Sequence, residues 1–179
     1  MTEASFPPSV LQLWSNLMAI RSRKIFAWGC RETDMLIGIP AILGPDLLHT
    51  LRSMGHGDEV AFVDGNYPAQ DHARRLIRAD GHGILALLNA VLVVLPLDRS
   101  VPQTAFRASL DNDPAKAAVI HHQIDALVAE KTGHPVTALA GEQLYLRIRA
   151  CHTIVATSEM ALFANVILRK GVISATGSG

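Results

Sequence analysis

A histidine between two glycines is the group in this sequence best suited to proton transfer. His56 lies in the segment Met-Gly-His-Gly-Asp-Glu (residues 54–59), and Asp64 follows the short apolar run 60–63. An imidazole titrates near neutral pH, so it can take up and release protons during catalysis. The glycines leave the ring uncovered, and we expect His56 and Asp64 to face one pocket. The alternative is a helix cap and turn around a solvated histidine.

Other kinds of catalytic site have weaker support. His72 and His82 lie near His56 and Asp64, and such nitrogen and oxygen ligands suit a divalent ion. Their spacing matches no compact ligand motif, so a metal site is not favoured. The sequence also contains no dinucleotide fingerprint and no phosphate-binding loop of the Walker A type.

Composition excludes some classes of partner. Sixteen basic residues balance sixteen acidic ones, which argues against nucleic-acid binding, because phosphate contacts need a surplus of Lys and Arg. The longest apolar run, residues 84–97, is shorter than the roughly 20 residues that span a bilayer. Cys30 and Cys151 lie far apart, so we expect a reduced, cytoplasmic protein.

The elements that must position these groups alternate between helix and strand. Helices are predicted at 45–54, 84–94, 141–150 and from Asp113-Pro114 to Gly133, and strands at 59–63, 76–79, 104–109, 153–157 and 165–168. This order favours a layered α/β domain with a largely parallel sheet. In such sheets ligands bind at the carboxyl ends of strands, and Asp64 is expected at one of them.

Residues 1–34 differ in pattern from the rest. They combine two adjacent prolines, a short interrupted apolar run and a basic cluster after that run. A signal peptide carries its positive charges before the apolar run, so this class is not favoured. We interpret residues 1–34 as a peripheral extension and residues 35–179 as the functional domain; the alternative is a short amphipathic helix that packs on a partner.

Several segments together resemble the fucose mutarotase and ribose pyranase family. They are residues 54–59, Phe62-Val63-Asp64 with Pro68-Ala69, Ile-Arg-Ala-Asp-Gly at 77–81, and the closing segment 165–172. The resemblance covers about residues 35–173, and the first and third segments are closer to the fucose branch.

The resemblance implies a cofactor-free enzyme with a three-layer α/β fold and ring-shaped homo-oligomers, often decamers. It implies His56 as the catalytic residue and Asp64 as a sugar ligand, with a substrate-binding segment at Phe163-Ala164-Asn165. Phe163 stands where the family has tyrosine, and the basic binding residue usual in this family aligns near Gly141, where no basic side chain stands.

The resemblance leads to one principal hypothesis and two alternatives. The principal hypothesis is that the protein interconverts the α and β anomers of L-fucose or a related monosaccharide, with His56 as general acid and base. The first alternative is a sugar-binding module that has lost catalysis, in view of Phe163 and Gly141. The second is a metal-dependent sugar enzyme that uses the histidines.

Overall fold

The computed structural model describes residues 36–173. Residues 36–41 contain a turn closed by an isolated bridge between Leu36 and Ile39. Residues 42–173 belong to a second unit, which has the α/β pattern. The predicted extension 1–34 lies outside the described residues, so its role stays a prediction.

Six strands and five α-helices make up the described α/β unit. The strands are β1 (Glu59–Val63), β2 (Leu76–Ala79), β3 (Ala105–Ala108), β4 (Val136–Leu139), β5 (Thr153–Thr157) and β6 (Val166–Arg169). The helices are α1 (Pro45–Ser53), α2 (Ala69–His72), α3 (Ile84–Val94), α4 (Val119–Thr132) and α5 (Gly141–Ala150), with a 3₁₀ turn at Leu110–Asn112.

The strands form one sheet in the order β2-β5-β1-β6-β3-β4. Strand β1 is parallel to β5, β5 is parallel to β2, and β3 is parallel to β4. Strand β6 runs antiparallel to both of its neighbours, β1 and β3. Five strands therefore point the same way, and their carboxyl ends share one edge of the sheet with the start of β6.

The side chains of β1 alternate between the two faces of the sheet, and both sets are buried, so helices must cover both faces. Ala61 and Val63 belong to one apolar cluster with Leu144 and Ile148 of α5. Their neighbours in the strand point to the opposite face and are also fully buried. Helices α3 and α4 pack on each other, and α4 contacts β3 and β4. The predicted α/β class, with a largely parallel sheet flanked by helices, is confirmed.

The predicted start of the long helix is wrong. Helix α4 begins at Val119, because Asp113 closes a turn instead: its side-chain oxygen accepts from the Ala115 N–H at 3.0 Å, and its carbonyl accepts from the Lys116 N–H at 2.8 Å. The predicted end is confirmed, since Gly133 caps the helix with a φ of 73°.

Two short elements have no counterpart among the sequence predictions. Strand β4 is a half-buried edge strand of four residues, too short to give a clear alternation. Helix α2 interrupts the polar segment 65–75 for four residues. Strand β4 contributes Leu139 to the wall of a cavity that Tyr67 also lines, and α2 carries His72, which lies 2.9 Å from the Tyr67 hydroxyl.

Candidate functional site

A carboxylate and an amide meet where β1 ends and β6 begins. The Asp64 N–H donates to Oδ1 of Asn165 at 2.9 Å, and each residue is only 5% exposed. The two residues are 101 positions apart in sequence. They become neighbours because β1 and β6 are adjacent antiparallel strands, so the end of one lies beside the start of the other.

Burial changes the acidity of Asp64. Desolvation raises the pKa of its carboxyl above the ordinary value of 3.8, and backbone N–H groups of Asn66 and Ala164 act in the opposite direction. The Asn66 N–H lies 3.0 Å from Oδ1. The carboxylate is thus held in a fixed orientation, with acceptor capacity left for a ligand.

A cavity of about 570 Å³ opens beside this pair, a size typical of small-molecule sites. Its wall includes Asp64 and Asn165 together with three aromatic rings, Tyr67, Tyr145 and Phe163. Polar acceptors beside aromatic faces suit a ligand that carries several hydroxyl groups on an apolar ring. The structure therefore brings together three of the predicted site residues: Asp64, Phe163 and Asn165.

The segment Phe163-Ala164-Asn165 is held by a buried histidine. Phe163 has a φ of 61°, an uncommon value for a residue with a side chain, and Ala164 is fully buried. The carbonyl of Phe163 lies 2.8 Å from Nε2 of His121, which is also fully buried. This contact fixes the strained turn that presents Asn165 to the cavity.

The hydrogen bonds of His121 define its protonation. Nδ1 accepts from the Ala118 N–H at 3.0 Å, so Nε2 carries the proton and donates it to Phe163. Desolvation lowers the pKa of His121, which keeps the ring neutral. Its neighbour His122 is exposed, so the two adjacent histidines point in different directions, as predicted.

His56 lies at the other end of β1. The strand separates it from Asp64 by five residues, or about 16 Å at a rise of about 3.3 Å per residue. His56 lines a different cavity, of about 460 Å³, which contains neither Asp64 nor Asn165. The expectation that His56 and Asp64 face one pocket is therefore wrong for a single copy of the chain.

The loop that carries His56 is clamped between α1 and the end of β6. The Lys170 ammonium donates to the carbonyls of Leu51 and Met54 at 2.7 and 2.5 Å, closing the end of the helix. The Gly57 N–H donates to the Lys170 carbonyl at 2.8 Å. Gly57 has a φ of 84°, so the backbone favours glycine there, and a Cβ would lie 3.0 Å from the guanidinium of Arg169.

Asp98 orients the imidazole of His56. Its Oδ2 lies 3.0 Å from Nε2 of His56 and accepts from Nε of Arg169 at 2.9 Å. The Ser100 hydroxyl, Arg169 and the Ser100 N–H hold the pKa of Asp98 well below its usual range, although the residue is only 1% exposed.

A carboxylate can only accept, so a neutral His56 directs Nε2–H to Asp98 and keeps Nδ1 as its basic atom. The side chain of His56 is 48% exposed, so a ligand can reach it. Asp98 was not among the residues predicted from the sequence. Its one signal was a carboxylate directly after the apolar run 84–97, 42 residues beyond His56.

The histidines do not assemble a metal centre in the described part of the chain. Within residues 36–173, no three His, Cys, Asp or Glu side chains lie close enough together to hold an ion. Over the same residues, no helix has the length and apolar character needed to cross a membrane.

Comparison with known proteins identifies relatives along most of the chain. A fucose mutarotase of Homo sapiens is 39% identical over 148 residues, covering 78% of this chain and 95% of the relative. A fucose mutarotase of Bos taurus is 38% identical over 146 residues, with the same coverage. The fucose mutarotase of Streptococcus pneumoniae, known from a crystal structure in complex with L-fucose, has a sequence 38% identical to this one. The two structures superpose with a TM-score of 0.72 over 78% of this chain and all of that one.

The fold and the site define an α/β protein with a polar cavity at the carboxyl edge of its sheet and an oriented histidine at the opposite edge. The model of the RbsD / FucU transport protein family matches residues 37–173. The chain belongs to this family, and the resemblance seen in the sequence is confirmed.

Proposed function

We propose that this protein is a mutarotase that interconverts the α and β anomers of L-fucose or a closely related monosaccharide. The observation that carries the proposal is the buried pair Asp64 and Asn165 in a cavity of about 570 Å³. The fucose mutarotase relatives and the L-fucose complex support this choice of sugar.

The cavity supplies the contacts that a monosaccharide needs. The Asp64 carboxylate accepts hydrogen bonds from sugar hydroxyls, and the Asn165 side chain combines an amide donor with a carbonyl acceptor. Phe163 and Tyr145 offer ring faces to the apolar side of a pyranose. Ala164, predicted from the resemblance as a sugar contact, is fully buried between Phe163 and Asn165 and does not line the cavity, so it supports the segment from within.

The chemistry proposed for His56 is proton transfer. Nδ1 takes the proton from the anomeric hydroxyl, the bond between the anomeric carbon and the ring oxygen breaks, and the proton is returned to the ring oxygen. The open aldehyde rotates about its carbon–carbon bond, and ring closure reverses the transfers. An imidazole suits this exchange because it accepts and releases protons near neutral pH. Asp98 acts as a positioning residue that keeps Nδ1 basic.

The distance between the two ends of β1 favours a site that is shared by two copies of the chain. Strand β1, about 16 Å long, lies between His56 and Asp64, and this length is far beyond the reach of a proton transfer. We therefore propose that a homo-oligomer places His56 of one copy beside the Asp64 cavity of another. A ring built from repeated head-to-tail contacts, such as the decamer that the family resemblance implies, would provide this arrangement at every interface.

Exchange spectroscopy tests the proposal directly. Saturation transfer between the α and β anomeric proton signals gives the exchange rate for L-fucose, D-galactose and D-ribose, with and without protein. We expect acceleration for L-fucose that chelator treatment leaves unchanged, and loss of that acceleration in His56→Ala. An exchange rate equal to that in buffer for all three sugars would contradict mutarotation, and a chelator-sensitive rate would favour a metal enzyme.

A sugar-binding module without catalysis is the second candidate. It is favoured by Phe163, which supplies a ring to the cavity but no hydroxyl, and by Gly141, which supplies no charge. Saturable L-fucose binding without any acceleration of anomer exchange would favour this candidate over the enzyme. In both cases we expect a cytoplasmic protein that binds a free monosaccharide.

A further inference from the structure

A chain of three polar side chains runs along the wall of the Asp64 cavity. The Tyr67 hydroxyl lies 2.9 Å from Nδ1 of His72, and Nε2 of His72 lies 2.7 Å from the guanidinium of Arg149. Tyr67 and Arg149 both line the cavity, and His72 joins them from behind. The short helix α2 supplies the histidine and α5 supplies the arginine.

Arginine sets the direction of every hydrogen bond in this chain. A guanidinium can only donate, so Nε2 of His72 must accept, and the proton of a neutral ring must sit on Nδ1. His72 Nδ1–H therefore donates to the Tyr67 oxygen. The hydroxyl proton of Tyr67 is left for another acceptor, and among the described residues His72 is the only hydrogen-bond partner that Tyr67 Oη has.

Burial keeps that hydroxyl proton in place. Tyr67 is 7% exposed, and desolvation raises its pKa to about 12. The phenol is thus protonated throughout the neutral range and acts as a donor. A buried tyrosine normally directs its hydroxyl to an acceptor, and the cavity is where an acceptor can arrive.

The other residues that could offer a hydroxyl at this wall are less suited. The Ser109 hydroxyl donates to the Leu139 carbonyl at 2.9 Å, so its proton is engaged. Phe163 has no hydroxyl. Tyr145 is 38% exposed and packs against Tyr67 with the rings tilted by 45° and 5.0 Å between their centroids, which supports the Tyr67 ring.

We propose that the Tyr67 hydroxyl, oriented by His72 and Arg149, is a hydrogen-bond donor to the oxygens of the bound monosaccharide. Tyr67 contacts the ligand in this proposal, whereas His72 and Arg149 are positioning residues. The inference rests on the proposed sugar site and deepens it: Asp64 accepts hydrogen bonds from the sugar, and Tyr67 donates one. Such a donor favours a sugar that presents an oxygen to it over an analogue that lacks that oxygen.

Single-atom removal tests the proposal in the full-length protein. Tyr67→Phe deletes the hydroxyl and keeps the ring. We expect a 10- to 100-fold lower kcat/KM for L-fucose anomer exchange, because a loss of this size is typical when a hydrogen bond to a group that gains charge is removed. Full activity in Tyr67→Phe would overturn the proposal.

A double-mutant cycle separates orientation from general packing. His72→Phe should lower kcat/KM in the wild-type background but have no further effect in Tyr67→Phe, because the hydroxyl that it orients is already gone. His72→Asn, whose amide can donate from near the position of Nδ1, should recover part of the activity. His122→Phe is the matched control, since it removes an exposed imidazole on α4 that lies outside this cavity. Additive losses in the cycle would refute the orienting role.

Binding measurements distinguish this proposal from the proposed function. L-Fucose affinity is measured for wild type and Tyr67→Phe by titration, together with thermal unfolding to confirm that both are folded. If wild type binds but does not accelerate exchange, mutarotation fails, and weaker binding by Tyr67→Phe still supports the donor. If wild type is active and Tyr67→Phe matches it in affinity and rate, the donor fails while mutarotation stands. If wild type neither binds L-fucose nor accelerates exchange, both proposals fail.

Discussion

Two inactive variants should restore activity to each other if the site combines residues from two copies. One variant is His56→Ala, which removes the proton carrier at one end of β1. The other is Asp64→Asn, which removes the carboxylate at the other end and keeps an oxygen that can accept from the Asn66 N–H. Because the strand holds these ends about 16 Å apart, no single chain can bring both groups to one sugar.

The expected recovery follows from counting the interfaces. In a randomly mixed 1:1 oligomer, half of the interfaces receive an intact His56 and half of those receive an intact Asp64. Roughly a quarter of the sites should therefore be active, although each pure variant has none. A site contained within one chain predicts no recovery at all.

The assay is L-fucose anomer exchange after the two variants are co-expressed or refolded together. The matched control mixes wild type with the double variant His56→Ala/Asp64→Asn: roughly a quarter of wild-type activity is expected for a shared site, and roughly half for a site within one chain. Size-exclusion chromatography with light scattering checks that mixed oligomers form. No recovery in confirmed mixed oligomers would refute the shared site.

Three further outcomes concern stability and rate. Asp64→Asn should raise the unfolding temperature at pH 7, because folding raises the pKa of Asp64 and the buried carboxylate is destabilising above that pKa. The gain in unfolding temperature should shrink as the pH falls toward 3.8. A variant that is less stable than wild type at pH 7 would contradict this reasoning. His121 has a lowered pKa in the folded state, so wild type should lose stability as the pH falls below 6.5. Denaturant titrations of wild type and His121→Ala at pH 7.5 and 5.5 test this. The variant should have a free energy of unfolding about 2–4 kcal/mol lower than wild type at pH 7.5, and should lose less than wild type between pH 7.5 and 5.5. An equal loss in both proteins between these pH values would argue against His121 as the cause. Phe163→Tyr adds a hydroxyl to the cavity wall and should increase kcat/KM for L-fucose exchange by up to about tenfold, and an unchanged or lower value would show that the added hydroxyl does not assist the reaction.

Most of the secondary structure could be predicted because its signals are local. Strand β1 was predicted at its observed bounds, since Glu59 and the four apolar residues 60–63 sit between a glycine turn and an aspartate. The buried helix α3 was also predicted at its bounds. The start of α4 could not be, because Asp113-Pro114 is compatible with both a helix cap and a turn, and the turn is stabilised by contacts with Ala115 and Lys116.

Some residues of the site could likewise be predicted from local patterns, whereas others depend on contacts between distant parts of the chain. Asp64 and Asn165 were predicted as sugar ligands, and the structure places both in one cavity. Asp98, the partner of His56, could not be predicted, because a contact across 42 residues depends on where the end of α3 meets the end of β6. The orientation of Tyr67 likewise depends on residues from two helices.

The sequence by itself determined which groups are present: a histidine between glycines, a strand-end aspartate and a family signature that reaches from residue 37 to 173. Only the tertiary structure decided how those groups are distributed. Strand β6 runs antiparallel to β1, so the start of β6 lies beside the end of β1, which joins Asp64 to Asn165. Strand β1 also holds His56 at the opposite edge, because a β-strand keeps its two ends apart by its full length.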